Sequence, residues 1–145
     1  MRVHEIMTTK PMTAHPGDTI AHALHLMIAG GFHHLPIVSS SKHLIGVVSN
    51  SDIRRALDIA DIHQVMPEDH PLAHTVKLRE IMSNAPVITV PEADIFDAAV
   101  SMYENSINSL PVMLGETLVG IVTTSDLMIA FIQVSRSQRA PLQRD

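Results

Sequence analysis

The sequence predicts an α+β fold of two tandem β-α-β-β-α units folded face to face, and three observations predict it. The first is an internal repeat. Shifting the chain by 75 positions places Ile6-Met7 on Ile81-Met82, Pro11 on Pro86, Pro16 on Pro91, Ile20 on Ile95, Met27 on Met102 and Leu35-Pro36 on Leu110-Pro111. After a one-residue deletion the shift is 74, and Leu44, Gly46, Val48 and Ser51-Asp52 fall on Leu118, Gly120, Val122 and Ser125-Asp126. Such a period marks a duplicated supersecondary unit. The second is a helical stripe present in both copies, and the third a pair of short apolar runs after each stripe.

Taken in order, a short strand is expected at 12–14 and again at 87–89. Ile20, Ala23, Leu24, Met27 and Ile28 stand at i, i+3, i+4, i+7 and i+8, and Ile95, Ala98, Ala99, Met102 and Tyr103 repeat that spacing, which is one face of an amphipathic helix. Thr19 and Asp94 precede the stripes, where a side-chain oxygen caps free N–H groups. Gly30-Gly31 and Asn105-Ser106 end them. The runs 35–38 with 44–48, and 110–114 with 118–122, are joined by short polar loops and read as β-hairpins. Ile53, Ala56, Leu57 and Ala60, matched by Leu127, Ala130, Phe131 and Val134, close each unit with a second helix, with Ser51 and Ser125 as expected caps. The organisation is repeat 1 at 1–60, a linker at 61–75, repeat 2 at 76–135 and a polar tail at 136–145. The linker carries Pro67, Pro71 and three histidines, with room for a short helical turn. One unit alone buries too little surface to be stable, which favours pairing of the two.

Bulk properties exclude several functions. The chain has 145 residues, 46% of them apolar, and a net charge of -5, with no basic run dense enough for nucleic acid or an anionic membrane. The absence of cysteine removes disulfides and thiolate chemistry and fits a reducing compartment. The opening residues lack a signal-peptide core, and no apolar run reaches membrane-spanning length; the expectation is a cytoplasmic protein. The sequence holds no P-loop, G-x-G-x-x-G, H-E-x-x-H or G-x-S-x-G, so no enzyme is expected. All ten histidines lie at or before His74. They close no ligand set for zinc or nickel and read as a polar surface.

Two heptapeptides carry the chemistry: Gly46-Val-Val-Ser-Asn-Ser-Asp52 and Gly120-Ile-Val-Thr-Thr-Ser-Asp126. Each brings a strand to the start of a helix, where free N–H groups and the dipole favour an anion. Asp52 or Asp126 can accept the hydroxyls of a ribose cis-diol, and Ser49, Ser51, Thr123 and Ser125 offer further hydroxyls. The competing reading is structural, since the same acids sit where helix caps are common.

With its I-M openings, Leu-Pro-Ile-Val and Leu-Pro-Val-Met strands and duplicated heptapeptides, the sequence resembles the CBS-domain family, named for cystathionine β-synthase, over nearly its whole length. The resemblance implies repeats packed about a pseudo-two-fold axis, a regulatory role, and adenosyl ligands such as AMP, ADP, ATP or S-adenosylmethionine. It implies that the Asp52 seat uses Met82 and Val87 against the adenine, that the Asp126 seat uses Met7 and Met12, and that a basic residue precedes each Leu-Pro strand. Those positions hold His34 and Ser109. Free histidine titrates near pH 6.5, so His34 supplies a cation only when protonated, and Ser109 supplies none. The Asp52 seat is therefore expected to be the better phosphate site. The helical stripes, in excess of what one small module buries, predict a homodimer, and some effector protein is the expected partner. The alternative is a dimerisation module with vestigial clefts.

Overall fold

In the computed structural model, which describes residues 1–64, 66 and 69–139, the chain folds as β1 (Thr8–Thr9), α1 (Ile20–Gly30), β2 (His34–Val38), β3 (Leu44–Ser49), α2 (Asn50–Leu57), α3 (Pro71–Thr75), β4 (Ser83–Asn84), α4 (Ile95–Asn105), β5 (Ser109–Leu114), β6 (Thr117–Thr123) and α5 (Thr124–Gln138). Short 3-10 turns lie at Val3–Glu5, Ile62–Gln64 and Leu78–Glu80. Pro67 of the expected linker and positions 140–145 of the expected tail lie outside the described residues.

The first helix of each unit begins and ends where its punctuation requires. Thr19 accepts from the His22 amide and Asp94 from the Phe96 amide. Gly31 and Ser106 close the two helices in the left-handed region. The second helices are capped differently from the expectation. Ser49 and Thr123, not Ser51 and Ser125, hold the cap positions. The physical reason is spacing: Ser49 accepts from the Asp52 amide while the Asp52 carboxylate accepts from the Ser49 amide, and Thr123 and Asp126 do the same. The S/T-x-x-D spacing places both partners for that reciprocal pair, which Ser51 and Ser125 do not have. Ser51 and Ser125 lie inside the first turn.

The hairpins pair as the apolar runs predict, with Leu35 opposite Val48 and Leu110 opposite Val122, and each carries an irregularity at the matched place, Ile37/Val38 and Val112/Met113. The strands expected at 12–14 and 87–89 shrink to single parallel bridges, Ala14 with Ile37 and Thr89 with Val112. Prolines 11 and 16, and 86 and 91, frame these segments and leave few amides to extend a ladder.

The third strand of each sheet comes from the other repeat. β1 pairs with β6 through Thr8–Ile121 and Thr9–Gly120, and β4 pairs with β3 through Ser83–Val47 and Asn84–Gly46. Glycine is required at both crossings. A Cβ on Gly46 would lie 2.7 Å from Met82 Sδ and 2.8 Å from the Ser83 carbonyl oxygen; on Gly120 it would lie 2.6 Å from Met7 Sδ and 2.8 Å from the Thr8 carbonyl oxygen. The opening turns follow the exchange. Leu78 is fully buried in the core of Ile20, Leu24, Met27, Leu35, Ile37, Val48 and Ile53, and Val3 is fully buried in that of Ala98, Met102, Leu110, Val112 and Val122. Each such side chain contributes about 1.5–3 kcal/mol by leaving water, so the halves are stapled by their own N-terminal segments.

The helical faces of the two halves are covered unequally. Ile62 and Ala73 are buried in the repeat 1 core, α3 packs on α1 and α2, and the His70 Nε2 lies 3.1 Å from the Leu57 carbonyl oxygen. Ile62, His70 and α3 thus cover repeat 1. On repeat 2, Phe96, Tyr103, Met128 and Phe131 are 70%, 86%, 64% and 71% exposed. Tyr103, Phe131 and Val134 were expected on the inward stripes, as was Ile28, and all four are exposed. The fold buries only the narrower part of each stripe.

Candidate functional site

Strand β3 runs directly into α2, so the Ser49–Asp52 cap stands at the mouth of the space between the repeats. His34 lies opposite Ser49 in the β2–β3 register, and the Asn50 amide donates to the His33 carbonyl oxygen at 2.8 Å. The second half repeats this, with Ser109 opposite Thr123 and the Thr124 amide donating to the Asn108 carbonyl oxygen at 3.0 Å. Between them lies a cleft of ≈ 740 Å³. His34, Ser49, Ser51, Asp52 and Val87 line it together with Ser109.

The remaining selected residues fall elsewhere. Ser109 was assigned to the Asp126 seat; buried at 7% exposure, it lines the Asp52 cleft together with His34, its counterpart in repeat 1. Met82 and Met7, expected against the adenine, pack on Gly46 and Gly120 and belong to the two cores. The absent Cβ atoms create the slots they fill, and neither lines the cleft. Met12 is 52% exposed and Ser125 is exposed. Thr123 and Asp126 form the matched cap on the far side, and Thr124 reaches the cleft.

The two readings of the aspartates prove compatible. In Asp52, Oδ2 accepts the Ser49 amide, and Oδ1 faces the Arg55 guanidinium at 3.6 Å. In Asp126, Oδ2 takes both the Thr123 amide and its hydroxyl. A carboxylate has about four lone-pair sites, so each cap leaves capacity for a ligand hydroxyl.

Charge separates the seats. Burial, followed by the neighbouring His33, holds His34 below its ordinary value of 6.5, against the upward pull of Asp52 and Asp126. In the free protein His34 is therefore neutral at pH 7 and is not the resident cation. That role falls to Arg54 and Arg55, which line the cleft and which apolar periodicity passed over. Arg54 donates from Nε to the Asn50 side-chain oxygen at 2.8 Å and from Nη2 to the Ser51 hydroxyl at 3.0 Å. Aligning the polar as well as the apolar positions of the repeats would have found them, since Arg54-Arg55 fall on Met128-Ile129. Among the described residues no three His, Cys, Asp or Glu side chains converge as a metal site, and no helix is long and apolar enough to cross a membrane.

Comparison with known proteins agrees with this architecture. The CBS domain profile matches residues 3–59 and 78–133. An uncharacterised protein of Methanocaldococcus jannaschii is 27% identical, covering 91% of this chain and 92% of its own. The CBS domain pair of protein MJ0100, solved with 5′-methylthioadenosine and S-adenosyl-L-methionine, superposes with a TM-score of 0.78 at 27% identity, covering 92% and 98% of the two chains. CBSX2, solved with AMP, superposes with a TM-score of 0.73 at 25% identity, covering 93% and 98%. Three curated enzymes also match, and the chain spans only 24%, 23% and 21% of their lengths. With one profile matched twice, two exchanged sheets and one shared cleft, this chain belongs to the CBS domain family and is a CBS domain pair.

Proposed function

We propose that this protein is a regulatory, non-catalytic module that binds an adenosyl compound in the cleft between its two repeats. The observation that carries the reading is the convergence of Ser49, Asp52, His34 and Val87, from both repeats, on one cleft of ≈ 740 Å³. The ligand-bound states of the MJ0100 pair and of CBSX2 support it. A ligand that touches both halves stabilises the arrangement in which they meet, and it acts as a signal to the extent that it binds that arrangement better than another. The exposed α4–α5 face is where we place a homodimer contact, and the reducing cytoplasm is the compartment that suits a cysteine-free chain.

Thermal-shift and calorimetric titration of the full chain with AMP, ADP, ATP and S-adenosylmethionine tests the reading. At least one compound is expected to stabilise the protein. Asp52→Ala is expected to weaken that ligand by about tenfold or more, the cost of a lost hydrogen bond to a charged acceptor; Asp126→Ala is expected to leave it nearly unchanged. If no compound binds, the vestigial-cleft alternative replaces this function.

A further inference from the structure

Arg54 is unusual among the cationic side chains of the cleft. The residue is half-buried, and its guanidinium is held in place by neutral acceptors alone: the Asn50 side-chain oxygen, the Ser51 hydroxyl and the Ala60 carbonyl oxygen. Among the described residues it pairs with no carboxylate, whereas Arg55 already faces Asp52. Asn50 in turn sets its side-chain nitrogen 3.3 Å from His33 Nδ1. Arg54 is thereby fixed beside the Ser51 hydroxyl with its charge unanswered, on the wall of a cleft that Ser49 also lines and that repeat 2 lines with Asn108, Ser109 and Thr124. Of this network the second half keeps only the serine, Ser125 in place of Ser51, while Asn108, Thr124, Met128 and Ile129 occupy the places of His33, Asn50, Arg54 and Arg55.

Resting on the adenosyl reading above, we propose that the Arg54 guanidinium is an anion subsite on α2 that makes the cleft selective for phosphorylated adenosine. A pre-positioned guanidinium offers paired N–H donors matched to phosphate oxygens, and such charge-assisted bonds are about twice as strong as neutral ones. It gives nothing to an uncharged thioether and repels a sulfonium. The ligand class is therefore an adenosine mono- or polyphosphate, and the binding stoichiometry is one per chain, because the second half has no equivalent cation.

Isothermal titration of the full chain with adenosine, 5′-methylthioadenosine, S-adenosylmethionine, AMP and ADP at fixed salt provides the test. AMP or ADP is expected to bind about tenfold or more tightly than 5′-methylthioadenosine, at one site per chain. Arg54→Gln is expected to erase that preference and leave the affinity for adenosine within about twofold, with the conservative Arg54→Lys recovering part of it. Equal affinity for the phosphorylated and unphosphorylated compounds in the unmodified chain overturns the subsite while leaving the adenosyl reading standing. So does a phosphate preference that survives in a folded Arg54→Gln. Failure of every adenosine compound to bind overturns both.

Discussion

Helix α2 carries Arg54 and Arg55 where α5 carries Met128 and Ile129, although both helices start from the same reciprocal cap of a hydroxyl and an aspartate. What the copies share is what the fold demands: a capped helix, a hairpin with an irregularity at one place, and a glycine under the exchanged strand. What they do not share lies on surfaces. Repeat 1 holds the cleft cations and has its helical face covered by Ile62 and α3, whereas repeat 2 holds apolar side chains in the open. Under the proposed function both repeats line the ligand cleft, repeat 1 supplying its arginines, and the exposed face of repeat 2 is the proposed contact surface.

The largest effect expected concerns that open face. Phe131→Asp places a charge in the middle of the α4–α5 patch, and burying an unpaired carboxylate costs several kcal/mol. Light scattering is expected to show a dimer for the parent chain and a monomer for the variant, whereas His25→Asp at an exposed position of α1 is expected to leave the dimer intact. A parent chain that is already monomeric at micromolar concentration removes the contact surface from this account.

A smaller effect probes what the halves have in common. Gly46→Ala and Gly120→Ala both drive a methyl group against a backbone carbonyl oxygen at 2.8 Å. Each is expected to cost about 1–3 kcal/mol by overpacking, measured as the shift in urea midpoint. The two costs are expected to be similar, and a large inequality breaks the pseudo-symmetry at its crossing point.

The smallest effect belongs to His34, which has no titrating counterpart because repeat 2 places Ser109 there. Burial, with His33 beside it and Asp52 and Asp126 opposing, lowers its folded-state value below 6.5. The unfolded chain then takes up a proton that the folded chain refuses. The stability this contributes is present above pH 6.5 and is lost as pH falls toward the folded value, with a slope of at most about 1.4 kcal/mol per pH unit. His34→Gln is expected to flatten that part of the stability profile in chemical denaturation at pH 5 to 7. An unchanged profile shows that the ring is more solvated than its burial beside His33 implies.

Much of the architecture was legible from local pattern. The α1 and α4 stripes with their Thr19 and Asp94 caps, the hairpins and the duplicated heptapeptides are written in spacing, because helix and strand periods and cap chemistry act over a few residues. The Ser49 and Thr123 caps were open to the same logic once Asp52 and Asp126 were read as the third residue of a reciprocal pair. The roles of Met7, Met82 and Ser109 were not legible, since each depends on which surface lies across from it. Arg54 was visible as a residue and invisible as a cation in the cleft.

By itself, then, the sequence determined two matched helix–hairpin–helix units and the Thr19 and Asp94 caps of their first helices, since these follow from interactions between near neighbours in the chain. Only the tertiary structure decided that Thr8–Thr9 and Ser83–Asn84 cross to the opposite sheets, that Val3 and Leu78 fill each other's cores, and that one cleft gathers Arg54, His34 and Ser109. Contacts between residues far apart along the chain depend on how two nearly equivalent halves close on one another, and no local period encodes that closure.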